Sequence, residues 1–492
     1  MNKTLTAFLI IACSLLVSCA VNKNYSPLKK YPRQVLQKDY TLLREILQKK
    51  HPGIYWYTSR DSMNMYFKKY YDAITDSMTE QQFTWHVLAP LVDKIHCGHT
   101  SVGSSKAYRK WASGKQLPSF PLYFKVWNDT MAVSANLNRK DSIFKRGTLV
   151  TAVNGVSNAA QIKKMFDYLP EDGYANNINF IRLSGNFPYY HRNIYGLSKK
   201  YRVTYLDSTG IQKHAELPLF TPAKDSTKKT TSKEKKLAPS KIKINKMLFY
   251  RQLVTDSSGL MATITLNTFS KGRLRYFFRK SFKELRQKNI KNLVLDIRSN
   301  GGGKVNSSTL LTKYISRTPF KVADSAYAVS KGLGRYSWYI KGGWLNNIEL
   351  FFISRKRKDG KYHLGLMEKK LYKPKTNNHY NGNVYVLVNG PTFSAATIFC
   401  NAVKGQPGIT LLGEETGGGW HGNSGIMIPD IKLPHTKTRV RLPLFRIVQY
   451  NHVPKTGSGI VPDIYVGTSY DALLKGIDYK MKVVREMIFN SR

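Results

Sequence analysis

The spacing of apolar and polar positions divides the chain into regions of different period. Between residues 36 and 95, apolar side chains recur at three- and four-residue intervals. Leu42, Leu43, Ile46 and Leu47 form one stripe, and Phe83, Val87, Leu88 and Leu91 another. Such stripes predict helices that bury one face. His51-Pro52-Gly53 interrupts the pattern between them, as proline and glycine do. From Leu117 to Phe220 the pattern shortens to alternating strands, such as Leu122 to Val126 and Tyr201 to Tyr205. Inside this region, Gly147 to Val156 reads as a strand ending in Asn154-Gly155, followed by a helix-like run from Ala160 to Tyr168. From Leu248 onward the order is α/β. Leu260 to Leu266 alternates as a strand, Tyr276 to Gln287 is helical, and Leu293 to Ile297 and Val384 to Val388 are apolar strands. Each of these two strands runs into a glycine-rich or polar turn and then a helix-like segment, the junction where α/β proteins place their chemistry.

Composition narrows the class. With 492 residues the chain is too long for one ordinary domain, and 42% hydrophobic residues suffice for a core. Glycine shows no three-residue period, which excludes a collagen-like structure. Lys+Arg 78 against Asp+Glu 30 leaves a formal net charge of +48. Such a surface favours anionic partners: anionic lipid, lipopolysaccharide, nucleic acid or acidic substrate. Residues 221 to 246 hold nine lysines, no aromatic residue, and only Asp225 and Glu234 as acids, which predicts a basic linker or exposed loop.

The first residues read as an export address. Lys3 precedes an apolar run from Leu5 to Val17, too short to span a bilayer and of the length of a signal peptide. It ends in Leu16-Val17-Ser18-Cys19, which resembles a bacterial lipobox, with Cys19 the expected site of lipid attachment. A plain secretory signal with an incidental cysteine is the alternative. No later stretch approaches 18 apolar residues, so no transmembrane helix is expected. Removing Cys13 with the signal and lipidating Cys19 leaves Cys97 and Cys400, which is not a disulfide framework. His96-Cys97-Gly98-His99 lacks the second half of a zinc site. No metal and no cofactor are expected.

The first candidate turn is Asp296-Ile297-Arg298-Ser299-Asn300-Gly301-Gly302-Gly303. Three glycines after a buried strand let backbone N–H groups approach a ligand closely. It is no P-loop, because Gly303-Lys304 is followed by Val305. The second is Val388-Asn389-Gly390-Pro391-Thr392-Phe393-Ser394-Ala395-Ala396-Thr397. It puts Ser394 at a strand–helix junction, where the helix N-terminus and the following amide favour negative charge on a substrate oxygen. A helix N-cap serine fits the same position. The third is Gly413-Glu414-Glu415-Thr416-Gly417-Gly418-Gly419.

In this order the three motifs resemble the core of the carboxyl-terminal processing, or tail-specific, serine peptidases. The resemblance covers roughly residues 248 to 470. It implies a crotonase-like α/β catalytic core with an N-terminal helical domain and a PDZ-like β-rich domain. The expected order is signal peptide 1–18, tether 19–35, helical domain 36–110, PDZ-like domain 115–220, basic linker 221–246 and peptidase core 247–492. A generic β-rich insert is the alternative for 115–220.

The resemblance implies Ser394 as nucleophile. Many members pair it with a lysine just beyond the third motif, but Gly417-Gly418-Gly419-Trp420 has none. Gly98-His99-Thr100 instead resembles the histidine motif of a branch that includes the tricorn protease core, so His99 is the expected general base. A serine hydroxyl needs one, and an unperturbed histidine titrates near about 6.5. His96, His421 and His452 are rivals. Glu414, Glu415 and Thr100 are possible orienting residues. The backbone amides of Gly301 or Gly302, with Ala395, are the expected oxyanion donors.

The expected function is hydrolysis of polypeptides through an acyl-enzyme on Ser394, by a lipid-anchored protein of the bacterial cell envelope. A catalytically silent peptide-binding scaffold lipoprotein is the alternative. Nucleic acid is not an expected partner, because a basic composition without a binding module does not identify one.

Overall fold

The computed structural model describes residues 25–222, 239–450 and 455–490. The expected signal segment, Cys19, most of the basic linker and the rival His452 lie outside the described residues. Among the described residues no helix is long and apolar enough to cross a membrane.

The centre of the α/β part is a six-stranded sheet. Its strands run in the order Arg251–Thr255, Met261–Leu266, Asn292–Asp296, Asn383–Val388, Ile409–Gly413 and Ile464–Tyr465. The first pair is antiparallel and every later pair is parallel. Buried strands such as Leu293-Val294-Leu295 read as apolar runs because both sheet faces are covered. Helices Leu274–Gln287, Val305–Ile315 and Ala395–Val403 pack Phe278, Phe282, Leu311 and Phe399 on one face. The final helix, Tyr479–Asn490, sets Val484 and Ile488 against Val294, Leu387 and Leu412. Asp296 and Val388 end adjacent parallel strands, so the first two motifs leave the sheet side by side at its carboxyl edge.

The N-terminal helices do not stand apart from this core. Helix Arg33–Lys50 ends at His51, whose backbone is extended (ψ 117°) ahead of Pro52, as a residue before proline prefers. Its buried face, Leu36, Tyr40, Leu43, Ile46 and Leu47, shares one apolar cluster with Leu333, Tyr336, Leu350, Ile431, Val440 and Phe445 from the C-terminal half. Strand Val102–Gly103 also pairs with Arg439–Arg441. The helical segment is thus folded onto the α/β part, with the 36–110 and 247–492 regions sharing a core.

Residues 120 to 220 form an antiparallel sheet in the order Leu122–Trp127, Thr130–Asn136, Leu149–Val153, Lys200–Leu206 and Gln212–Pro218. Asn154 and Gly155, both at positive φ, turn the chain into Val156–Ser157, the left-handed turn that Asn-Gly favours. Helices Asn158–Phe166 and Asn177–Tyr195 cover the sheet. The segment between these two helices reaches the turn that carries His96 to His99, where Gly173 N donates to His96 O at 3.0 Å. Part of the basic segment differs from expectation: residues 239 onward are helical, in Pro239–Tyr250, and only 223–238 fall outside the described residues.

His191 lies inside the β-rich unit, stacked on Phe120 at 4.8 Å, 4% exposed and with Nδ1 unpartnered. Burial lowers its pKa from 6.5 to about 4. The unfolded chain therefore takes up this proton first. The stability contributed by neutral His191 is intact above about pH 6.5 and is lost as pH falls toward 4. We predict that His191→Phe, which keeps the stacking, gains stability relative to the parent as pH falls from 6.5 to 4. The gain should be on the order of 3 kcal/mol at the acid end. Thermal unfolding of both proteins across this range measures it, and a constant difference would contradict the prediction.

Candidate active site

Ser394 sits between strand Asn383–Val388 and helix Ala395–Val403, with φ 56° and ψ −119°. For a residue with a Cβ this is a strained backbone, of the kind that marks functional turns. Neighbouring turns hold it there. Thr392 Oγ1 donates to Ile297 O at 3.0 Å, and Phe393 N donates to Asn300 O at 3.1 Å. Gly302, at φ 93°, is pressed against the serine itself. A Cβ built there would meet Phe393 O at 2.7 Å, Ser394 Cβ at 2.8 Å and Ala395 N at 2.9 Å.

The imidazole of His99 arrives from the turn after helix Ala89–Asp93. Its ring packs on Phe393 at 4.7 Å. Gly98 permits that approach, since a Cβ there would lie 2.7 Å from Phe393 Cζ. His99 Nε2 and Ser394 Oγ face one small space: each lies 3.1 Å from the point where Gly425 would carry a Cβ. Gly425 belongs to strand Gly422–Ile426, which closes this side of the site.

Asp172 stands behind the imidazole. No motif in the sequence singles out this aspartate. It comes from the loop between the two helices of the β-rich unit and has no exposed surface. Its Oδ1 accepts from Gly98 N at 2.9 Å and lies 3.8 Å from His99 Nδ1, while Oδ2 accepts from Gly419 N at 3.4 Å. The Nδ1 contact is an ion-pair distance and longer than a hydrogen bond; catalytic hydrogen bonds often tighten only once substrate is bound. Glu171-Asp172-Gly173 lies far from every motif, in a loop with no period to mark it.

The three expected orienting residues serve elsewhere. Thr100 Oγ1 is bound by His51 Nε2 at 2.7 Å. Gly53 N donates to His51 Nδ1 at 3.1 Å, so the His51 proton is on Nε2 and Thr100 is the acceptor. Burial, reinforced by the charge of Arg446, lowers the His51 pKa to about 3, keeping this ring neutral. Glu414 pairs with Lys480 at 2.6 Å and ties down the last helix. Glu415 accepts from Gly459 N, and burial raises its pKa. Among the rival histidines, His96 packs on Tyr174 at 4.8 Å with Nδ1 3.5 Å from Glu171, and His421 packs on Trp56 at 5.5 Å.

The structure narrows the oxyanion expectation. Gly302 N donates to Asn300 Oδ1 at 2.9 Å and is not available to a substrate. Among the described residues the Gly301 and Ala395 amides donate to no other group. The Asp296-x-Arg298 part of the motif is structural: Arg298 makes paired contacts at 2.7–2.9 Å to Asp296 and at 2.7 Å to Asp478. The third motif packs by glycine. A Cβ on Gly417 would meet Gly390 O at 2.2 Å, and one on Gly418 would meet Thr397 Oγ1 at 2.0 Å.

Two glycine variants separate space from donor. Gly302→Ala forces Ser394 to move, and displacements near 1 Å cost roughly 100-fold in rate, so the rate of a reaction at Ser394 should fall at least that far. Gly301→Ala keeps its amide and meets nothing within 4 Å, so turnover should stay near the parent value. Steady-state assays of both variants test this, and equal losses would refute it.

Residues 261–466 match the sequence model of peptidase family S41. Mature CPAF complexed with lactacystin shares 14% identity with a TM-score of 0.63, over 93% of this chain and 99% of that one. The photosystem II D1 C-terminal processing protease shares 13% identity with a TM-score of 0.38, over 87% and 93%. The tricorn protease shares 13% with a TM-score of 0.41, over 93% of this chain and 37% of that one. The comparison with curated proteins returned no match. The CPAF likeness shows a common fold along nearly the whole chain, and the family match covers both sheet-edge turns and the serine. Over residues 261–466 the chain carries the sequence pattern of peptidase family S41, and it is a serine-type peptidase.

Proposed function

We propose that this peptidase cleaves polypeptides by acyl transfer through Ser394, with His99 as general base and Asp172 orienting the imidazole. The observation that carries the reading is the shared space of His99 Nε2 and Ser394 Oγ, with the Asp172 carboxylate on the far side of the ring. With Nδ1 turned to the carboxylate, Nε2 is the basic nitrogen. It takes the Ser394 proton as Oγ bonds to the peptide carbonyl carbon. Negative charge on the carbonyl oxygen is met by the Gly301 and Ala395 amides. His99 then gives its proton to the leaving amine as the C–N bond breaks, leaving an ester on Ser394. Water, deprotonated by His99, hydrolyses that ester and restores the serine.

The same reading places the protein in the bacterial cell envelope, held by a lipid on Cys19, with the β-rich unit acting as a PDZ-like module that receives extended peptide. The Asn-Gly turn and the antiparallel sheet support that module, and the lipobox-like Leu16 to Cys19 supports the anchor. A scaffold without catalysis is less well supported, because the serine, the imidazole and a buried carboxylate converge.

A fluorophosphonate probe tests the chemistry. Labelling should be confined to Ser394 and disappear in Ser394→Ala. It should fall on the order of 100- to 10,000-fold in His99→Ala and Asp172→Asn. Undiminished labelling of His99→Ala would move the base elsewhere, and an unlabelled parent would favour the scaffold. For the anchor, metabolic labelling with palmitate should mark the parent and not Cys19→Ala; equal labelling of the two would remove Cys19 from the reading.

A further inference from the structure

Helix Gly343–Ile353 turns its apolar side outward. Trp344, Leu345, Ile348, Phe351 and Phe352 stand at i, i+1, i+4, i+7 and i+8, which is one helical face. Each is between 40% and 73% exposed. Leu350 points the other way, is 1% exposed, and joins the core with Leu333 and Tyr336. The turn just before the helix adds Trp338, 92% exposed. Among the described residues nothing covers this stripe. Contiguous apolar surface of this kind marks an interaction site rather than ordinary scatter.

Its border is cationic. Lys331 Nζ lies 3.8 Å from the centre of the Phe351 ring. Lys341 precedes the helix and Arg355 and Lys356 follow it, all exposed. Glu349 is the single acid on the helix. A second copy of this chain docking face to face would press the cationic rim against itself. An anionic bilayer meets both features at once: indole and phenyl rings settle at the headgroup level, and lysine and arginine meet the lipid phosphates. At 11 residues the helix is about 16 Å long, too short to cross a bilayer and suited to lying in its surface.

We propose that the outward face of Gly343–Ile353 docks on an anionic phospholipid surface, with Trp344, Phe351 and Phe352 seated in it and the flanking cations on the headgroups. This surface shares no residue with the Ser394 site and does not depend on a lipid at Cys19.

The test uses the chain from Ala20 to Arg492, which keeps every described residue and carries no lipid. Flotation with phosphatidylcholine vesicles, with and without phosphatidylglycerol, reads binding directly. Binding is expected only with phosphatidylglycerol and should weaken as salt shortens the Debye length. The double variant Phe351→Ser, Phe352→Ser should bind about tenfold or more weakly with unchanged thermal unfolding. Phe352→Trp should retain binding. Lys341→Glu with Lys356→Glu should weaken it while leaving the apolar stripe intact. A parent that ignores phosphatidylglycerol vesicles, or a double-serine variant that binds like the parent, would overturn the proposal. So would a dimer seen by sedimentation velocity that the double-serine variant dissolves, since a second copy would then own this face.

Discussion

Asp172 has no exposed surface, yet its carboxylate meets three groups from two other parts of the chain. Oδ1 takes the Gly98 amide and faces the His99 ring, while Oδ2 takes the Gly419 amide. A buried carboxylate is tolerated only where donors or positive charge replace the water it has lost. The loop from the β-rich unit, the histidine turn and the glycine motif of the α/β part must therefore assemble together or leave this charge unmet. Adjacent backbone contacts reinforce the junction: Gly173 N donates to His96 O at 3.0 Å and Tyr174 N to Gly457 O at 2.7 Å. The candidate site is a consequence of three-way docking, and no single unit contains it.

That docking is close because glycine stands at the contacts. Gly98 makes room for Phe393, Gly302 for the serine turn, and Gly417 for the Gly390 backbone. The same closeness holds Ser394 in a backbone conformation that costs on the order of 1–3 kcal/mol when unsupported. The Thr392–Ile297 and Phe393–Asn300 hydrogen bonds join the two parallel-strand turns and oppose its relaxation. Neutral His51 extends the support one layer outward by gripping Thr100, the residue after the imidazole.

Much of this was legible along the chain. The apolar runs at Leu293–Ile297 and Val384–Val388 announce buried strands, and the stripes of residues 36–95 announce helices, because period and burial are local properties. Ser394 and the three glycine motifs could be found because their backbone demands are local too: a sharp strand-to-helix turn, or an approach only glycine permits. The same logic could not choose between the Gly301 and Gly302 amides. Nothing local says that the Asn300 side chain folds back to occupy Gly302 N while Gly301 N stays free.

The α/β order, the strand–turn–helix junctions, the Ser394 turn and the large positive charge can all be read along the chain. Tertiary packing alone brought a buried carboxylate, Asp172, beside the His99 ring. Asp172 accepts from the Gly98 amide across 74 residues and from the Gly419 amide across 247, and contacts made over such separations leave no periodic trace. It also moved Glu414, Glu415 and Thr100 to structural roles, because each found a nearer partner in Lys480, Gly459 N or His51. The outward face of Gly343–Ile353 belongs to the same class. An apolar helical stripe reads alike whether it faces the core or the solvent, and only packing reveals which side of the helix the core took.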